Sequence, residues 1–174
     1  MPMIDVYIPD GALEPASEAT LMRELTDLLI RHEGMDPTQE RVRDVTWIFV
    51  HRPAQIYRSG APAPAPIYRI TPTVPEGQYT DEARAGLVRD VTAAVARAEG
   101  SPLEEVGARV WVFPTEVEDG GWGSRGVIRR LPDIMAFFGG ADARAVGVER
   151  LARKRRGDAI ALLEAALGAA RGHG

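Results

Sequence analysis

The sequence predicts an α/β (α+β) chain of two tandem βαβ units. Together they form a four-stranded mixed sheet with both helices on one face, and a helical extension follows. Three observations carry this reading. Pro2-Met3-Ile4-Asp5-Val6-Tyr7-Ile8 alternates like a strand from the start. A helix and a second strand follow it within about 50 residues, the span of a right-handed βαβ crossover. The same pattern then recurs later in the chain.

In the first unit, Pro9-Asp10-Gly11 is a turn that ends the strand. A helix is expected over 17–33, capped by Ser17 or a neighbour. Leu21, Leu25, Leu28, Leu29 and His32 lie on one face, and Gly34 closes the helix. Asp36-Pro37 restarts the chain, and 42–50 reads as the second strand. Residues 59–66 alternate proline with small residues and read as an extended linker. Ile67-Tyr68-Arg69-Ile70-Thr71 begins the second unit, and a helix over 80–98 closes at Gly100.

The two units match residue for residue. Pro9-Asp10-Gly11 corresponds to Pro75-Glu76-Gly77, and Arg31, Glu33 and Gly34 correspond to Arg97, Glu99 and Gly100, all 66 residues on. Trp47-Ile48-Phe49 corresponds to Trp111-Val112-Phe113 at an offset of 64. The expected boundaries are 1–58 and 67–130 for the repeats, 59–66 for the linker and 131–174 for the extension, all in one compact domain. In the extension, a short helix runs from Pro132 through Phe138, and helices are expected over 141–156 and 158–171. With both helices on one face, the other face of the sheet carries Trp47, Phe49, Trp111 and Phe113. It is too apolar to leave in water, so self-association is expected.

Composition excludes several functions. The chain has 174 residues, no cysteine and a net charge of −4. Disulfides, thiolate metal sites and cysteine nucleophiles are therefore out, and a mildly acidic surface does not suit nucleic acid. Arg153-Lys154-Arg155-Arg156 reads as a solvated helix end beside acidic neighbours. His32, His51 and His173 lack metal-ligand spacing, so neither a metal nor a cofactor is expected. No apolar run has the length of a membrane span and no signal segment is present, which makes a cytoplasmic protein the expectation.

The chemistry centres on Pro2. Removal of Met1 would leave it as a terminal secondary amine, and partial burial lowers such an amine's pKa below the roughly 7.7–8.0 of an ordinary α-amine. That makes a general base at neutral pH. A retained Met1 would acylate it and abolish the base.

Met-Pro, a strand, an acid-Gly turn, a helix and a second strand, duplicated once, resembles the tautomerase superfamily (MIF-like fold). The pattern is similar to 4-oxalocrotonate tautomerase and its fused relatives, over residues 2 to about 130. The segments 116–126 and His51-Arg52-Pro53 resemble the malonate semialdehyde decarboxylase branch. The resemblance implies a homotrimer of fused chains with inward-facing sheets and a site at the sheet edge near Pro2. It makes Pro2 the catalytic base and Tyr57 and Trp122 pocket aromatics. Tyr68 stands at the position of Pro2 in the second repeat, so one site per chain follows. The family's substrate arginines fall at Ala12, Gln78, Thr46, Val110 and 75–78, and are absent. Arg52, Arg69, Arg109 and Arg125 are the substitutes, with Arg125 favoured for its place beside Trp122. Glu40 is a candidate acid by a shifted alignment but reads as a surface carboxylate. His51 reads as a strand-end polar residue and Glu116 as an arginine partner.

The function implied is a tautomerase acting on a small carbonyl or enol acid. The alternatives are a decarboxylase or hydratase using the same proline, and a non-catalytic oligomeric module.

Overall fold

The computed structural model describes residues 2–171. Met1, whose removal the sequence reading expects, and His173 lie outside the described residues. In chain order the elements are β1 Met3–Tyr7, α1 Pro15–His32, α2 Glu40–Arg43, β2 Trp47–His51, β3 Tyr57–Arg58, β4 Ala61–Pro62, β5 Tyr68–Pro75, α3 Asp81–Glu99, α4 Leu103–Gly107, β6 Val110–Val112, β7 Thr115–Val117, β8 Gly123–Ser124, β9 Val127–Ile128, α5 Leu131–Gly139 and α6 Ala143–Arg171. They fall into two compact units. One holds the residues up to Val74 and Tyr79–Glu116; the other holds Pro75–Gln78 and the residues from Val117 on.

In the first unit the sheet runs β2-β1-β5-β6, and β7 also pairs with β5. β1 is parallel to β2 and antiparallel to β5, and β5 is parallel to β6. This is the mixed sheet expected of two βαβ units back to back. The register confirms the repeat, because Met3 stands opposite Trp47 as Arg69 stands opposite Trp111.

Strand alternation sends Ile4, Val6, Tyr68 and Ile70 to the helical side, where they bury against Leu21, Leu25, Leu28 and Leu29 of α1 and Leu87, Val91 and Val95 of α3. Each fully buried aliphatic side chain contributes about 1.5–3 kcal/mol. The opposite face stays open. Trp47 and Trp111 are 62% and 68% exposed, with Phe49 and Phe113 edge-on beside them.

Helix ends follow local chemistry. Pro15 starts α1 in place of a side-chain cap, so the helix begins two residues before the expected Ser17. Thr80 caps α3 by accepting the Ala83 amide at 3.1 Å, and Gly100 ends it at φ 71°.

Three expectations change. Residues 42–46 are not strand: Val42 is a buried residue of the helical turn α2, and Thr46 Oγ1 donates to its carbonyl at 2.9 Å. Val42 meets the core from a helical turn, as Val106 does from α4. The 59–66 stretch is partly hairpin. β3 pairs with β4 across Ser59-Gly60, whose φ values of 54° and 81° suit a tight turn that matches strand twist. β8 and β9 repeat this device across Arg125-Gly126.

In the second unit, the helices expected over 141–156 and 158–171 are one helix, α6. Gly157 lies inside it at a cost of about 1 kcal/mol relative to alanine, and Lys154 pairs with Asp158 across that position. Gly147 lets α6 lie against α5; a Cβ there would come within 2.7 Å of the Pro132 backbone. The basic cluster of α6 is largely paired. Arg155 donates to both Glu76 oxygens at 3.0 and 3.1 Å, and Arg156 pairs with Glu149 at 2.9 Å. No helix among the described residues is long and apolar enough to cross a membrane.

Candidate active site

Pro2 is buried at the head of β1, and its carbonyl accepts the Trp47 amide at 3.3 Å. Extending the register by one residue places Thr46 on one side of Pro2 and Val74 on the other. The missing strand arginine is thus a threonine directly beside Pro2. Its hydroxyl is occupied within α2.

The matching corner of the second repeat is filled. Tyr68 is fully buried, and its hydroxyl donates to Glu99 Oε2 at 2.7 Å. Arg109 grips both oxygens of Glu99, with Nη1 to Oε2 at 2.9 Å, and also donates to the Pro66 carbonyl. Burial, and then the neighbouring Glu99 carboxylate, push the Tyr68 hydroxyl well above an ordinary phenol. The Arg109 hydrogen bonds hold Glu99 below the usual carboxylate range. This corner is a closed polar cluster with no base, and Arg109 is committed to it.

The other arginines are spread apart. Arg52 pairs with Glu18 at 2.6 Å and lines a groove of about 740 Å³ with Pro9–Ala12, Pro53–Ile56 and Pro62–Ile67. That groove lies at the far end of β1 from Pro2, about 20 Å away at a strand rise of about 3.3 Å per residue. Tyr57 is exposed on the β3–β4 hairpin near the same end, and its hydroxyl donates to Gln55 at 2.9 Å. Arg69 lies on the open sheet face, its guanidinium 5.1 Å from the Tyr7 ring centroid and 5.4 Å from that of Phe113. Arg52, Tyr57 and Arg69 therefore do not surround the Pro2 of their own chain. In the second unit, Arg125 is exposed at the tip of the β8–β9 turn with φ 52°, and Trp122 is half-buried at its base.

The remaining candidates have structural partners. His51 Nε2 lies 2.6 Å from Asp5 Oδ1 and its ring stacks on Tyr7, with centroids 4.4 Å apart. Glu116 pairs with Arg84 at 2.8 Å and accepts the Tyr79 amide at 3.1 Å. Glu40 is exposed. Among the described residues, no group of three or more His, Asp or Glu could hold a metal ion.

Two buried polar groups received no role from the sequence. Glu33, at the end of α1, is 1% exposed, and Tyr79, just after the turn that follows β5, is 4% exposed. The Tyr79 hydroxyl has no hydrogen-bond partner among the described residues. Burial, and then the Glu33 charge, push it up. The repeat match of Glu33 with Glu99 was the available signal for them.

No family model and no curated protein matches the sequence. Solved structures do. The chain is similar to macrophage migration inhibitory factor of Toxoplasma gondii at 15% identity and a TM-score of 0.57, covering 73% of this chain and 99% of that one. It is similar to N1, a member of the cis-3-chloroacrylic acid dehalogenase family, at 19% identity and 0.58, covering 72% and 82%. Native fused 4-OT gives 19% and 0.58, covering 72% and 94%. With the duplicated βαβ sheet and the proline-headed β1, these likenesses lead to one assignment: the fold of this chain is that of the tautomerase superfamily.

Proposed function

We propose that the chain is a cytoplasmic tautomerase that uses the amine of Pro2 as general base on a small enol or keto acid, without metal or cofactor. The observation that carries this is the burial of Pro2 at the head of a central strand. A terminal amine there is partly desolvated, so its neutral form is favoured. The neutral amine removes the proton alpha to a carbonyl, or from an enol hydroxyl, and the resulting ammonium returns it to the other atom. Donors aimed at the enolate oxygen lower the barrier between these steps.

In this reading the functional unit is a homotrimer. Trp47, Phe49, Trp111 and Phe113 form an open apolar face, and fused 4-OT structures are trimers. Substrate arginines and pocket aromatics then come from more than one copy, with Arg125, Trp122, Arg52, Arg69 and Tyr57 as the candidates. Trp111→Glu puts a charge into that face. Sedimentation is expected to fall from three chains to one, with helical circular dichroism retained; an unchanged trimer would count against the face as the interface.

A second reading keeps Pro2 but has its protonated form polarise a carbonyl, giving decarboxylation or hydration.

The test compares two preparations sorted by mass, one beginning at Pro2 and one retaining Met1. Each is assayed for ketonisation of phenylenolpyruvate and 2-hydroxymuconate, and for loss of CO₂ from 3-oxo acids. Turnover confined to the Pro2 form supports an amine mechanism, and equal turnover in both refutes it. Two inactive preparations favour a non-catalytic module.

A further inference from the structure

The open face of the sheet is built twice, once by each repeat, and its halves match in shape but not in charge. Trp47 and Phe49 recur as Trp111 and Phe113, 64 residues on. Beside them, β1 presents Met3, Asp5 and Tyr7 where β5 presents Arg69, Thr71 and Thr73, 66 residues on. The first half therefore carries a carboxylate and the second a guanidinium, each at a position that is uncharged in the other half.

Neither charge is fully met within one chain. Asp5 Oδ1 lies 2.6 Å from His51 Nε2, and Oδ2 has no hydrogen-bond partner among the described residues. The Arg69 guanidinium lies over the Tyr7 and Phe113 rings and, among the described residues, pairs with no carboxylate. The Thr71 hydroxyl, on the residue opposite Asp5, is buried without a partner. A neutral apolar partner would bury Arg69 with no counter-ion, which is costly. A second copy of this face supplies the opposite charge together with matching aromatics.

We propose that copies join first half to second half through this face, with Asp5 of one copy pairing with Arg69 of the next. This rests on the trimer proposed above and refines it at one residue, since Arg69 then serves the interface rather than the substrate. A ring of three needs heterologous contacts, in which each interface brings together two different patches. The repeated aromatics alone would let either half meet either half. The charges choose, because first half on first half sets Asp5 against Asp5, and second on second sets Arg69 against Arg69.

The test is a charge swap read by sedimentation and native mass spectrometry. Asp5→Arg and Arg69→Asp should each raise the concentration of half-assembly by about 30-fold or more, the effect of breaking one desolvated charge pair per interface. The chain carrying both changes should recover most of that loss. Mixing the two single variants separates contacts between copies from contacts within one. Mixed trimers should form where neither variant assembles alone, yet less stably than the double variant, because a ring of three made from two kinds of chain always keeps one like-charged interface. Recovery in the double variant without recovery in the mixture would place the pair within one chain and overturn the proposal, as would single variants that stay trimeric. A stable dimer of one chain of each kind would overturn the ring. If either charge reversal does not fold, Asp5→Asn and Arg69→Gln take their place. Their losses should then fall short of additive, and strict additivity overturns the proposal. Failure of the trimer reading itself would appear separately, as an unchanged trimer in Trp111→Glu.

Discussion

Pro2→Ala is expected to lower kcat/KM by about 10²-fold or more, the lower end of what a positioned general base contributes. That corresponds to about 2.7 kcal/mol of transition-state stabilisation. The mature variant still presents an α-amine, but a primary one without the ring that fixes its lone pair at the head of β1. Two ring methylenes leave a buried position, which costs about 1.6 kcal/mol of stability at about 0.8 kcal/mol each. The variant should therefore remain folded, which circular dichroism checks alongside the rate. Wild-type turnover in the variant would remove the amine from the mechanism.

The second large effect belongs to the other corner. Arg109→Ala leaves the Glu99 carboxylate, 13% exposed in its side chain, with the Tyr68 hydroxyl but without its guanidinium. Breaking such a pair from one side costs about 3–5 kcal/mol. Thermal midpoints should drop by about 6–20 °C, at about 2–4 °C per kcal/mol for a chain of this size. The effect has a pH signature. Glu99 is held below its unfolded value, so its contribution is present above the unfolded carboxyl pKa of about 4.3 and is lost as pH falls through the folded one. The difference between wild type and Arg109→Ala should therefore narrow below about pH 4. A constant difference down to pH 2 would show that Arg109 acts through packing alone.

The duplicated unit was readable because apolar periodicity and turn residues repeat in register, and that register reappears as Met3 opposite Trp47 and Arg69 opposite Trp111. The open aromatic face was readable for the same reason, since alternation fixes which side chains share a face. The second strand was drawn too long because the β-branched run of 42–50 reads as continuous, whereas Val42 belongs to a helical turn and the strand starts at Trp47. Local spacing also failed at Gly157, because a single glycine costs a helix only about 1 kcal/mol and does not by itself end one.

The site was less legible than the fold. Pro2 stands out by its chain position, but Tyr57 was grouped with it by family pattern and Arg52 and Arg69 as substitutes for absent family arginines, and within one chain a strand's length or a different sheet face lies between them. Glu33 entered the sequence reading only as the repeat match of Glu99, and its burial shows only in the structure.

The Tyr68, Glu99 and Arg109 cluster has a further consequence. In an assembly of identical single units, every mutation appears at all corners at once, so reinforcing one corner closes them all. Tandem duplication separates the two. Position 68 could acquire a phenol and its carboxylate–guanidinium brace while position 2 kept its proline. One half of the chain became a strut, and the other remained free to change its chemistry.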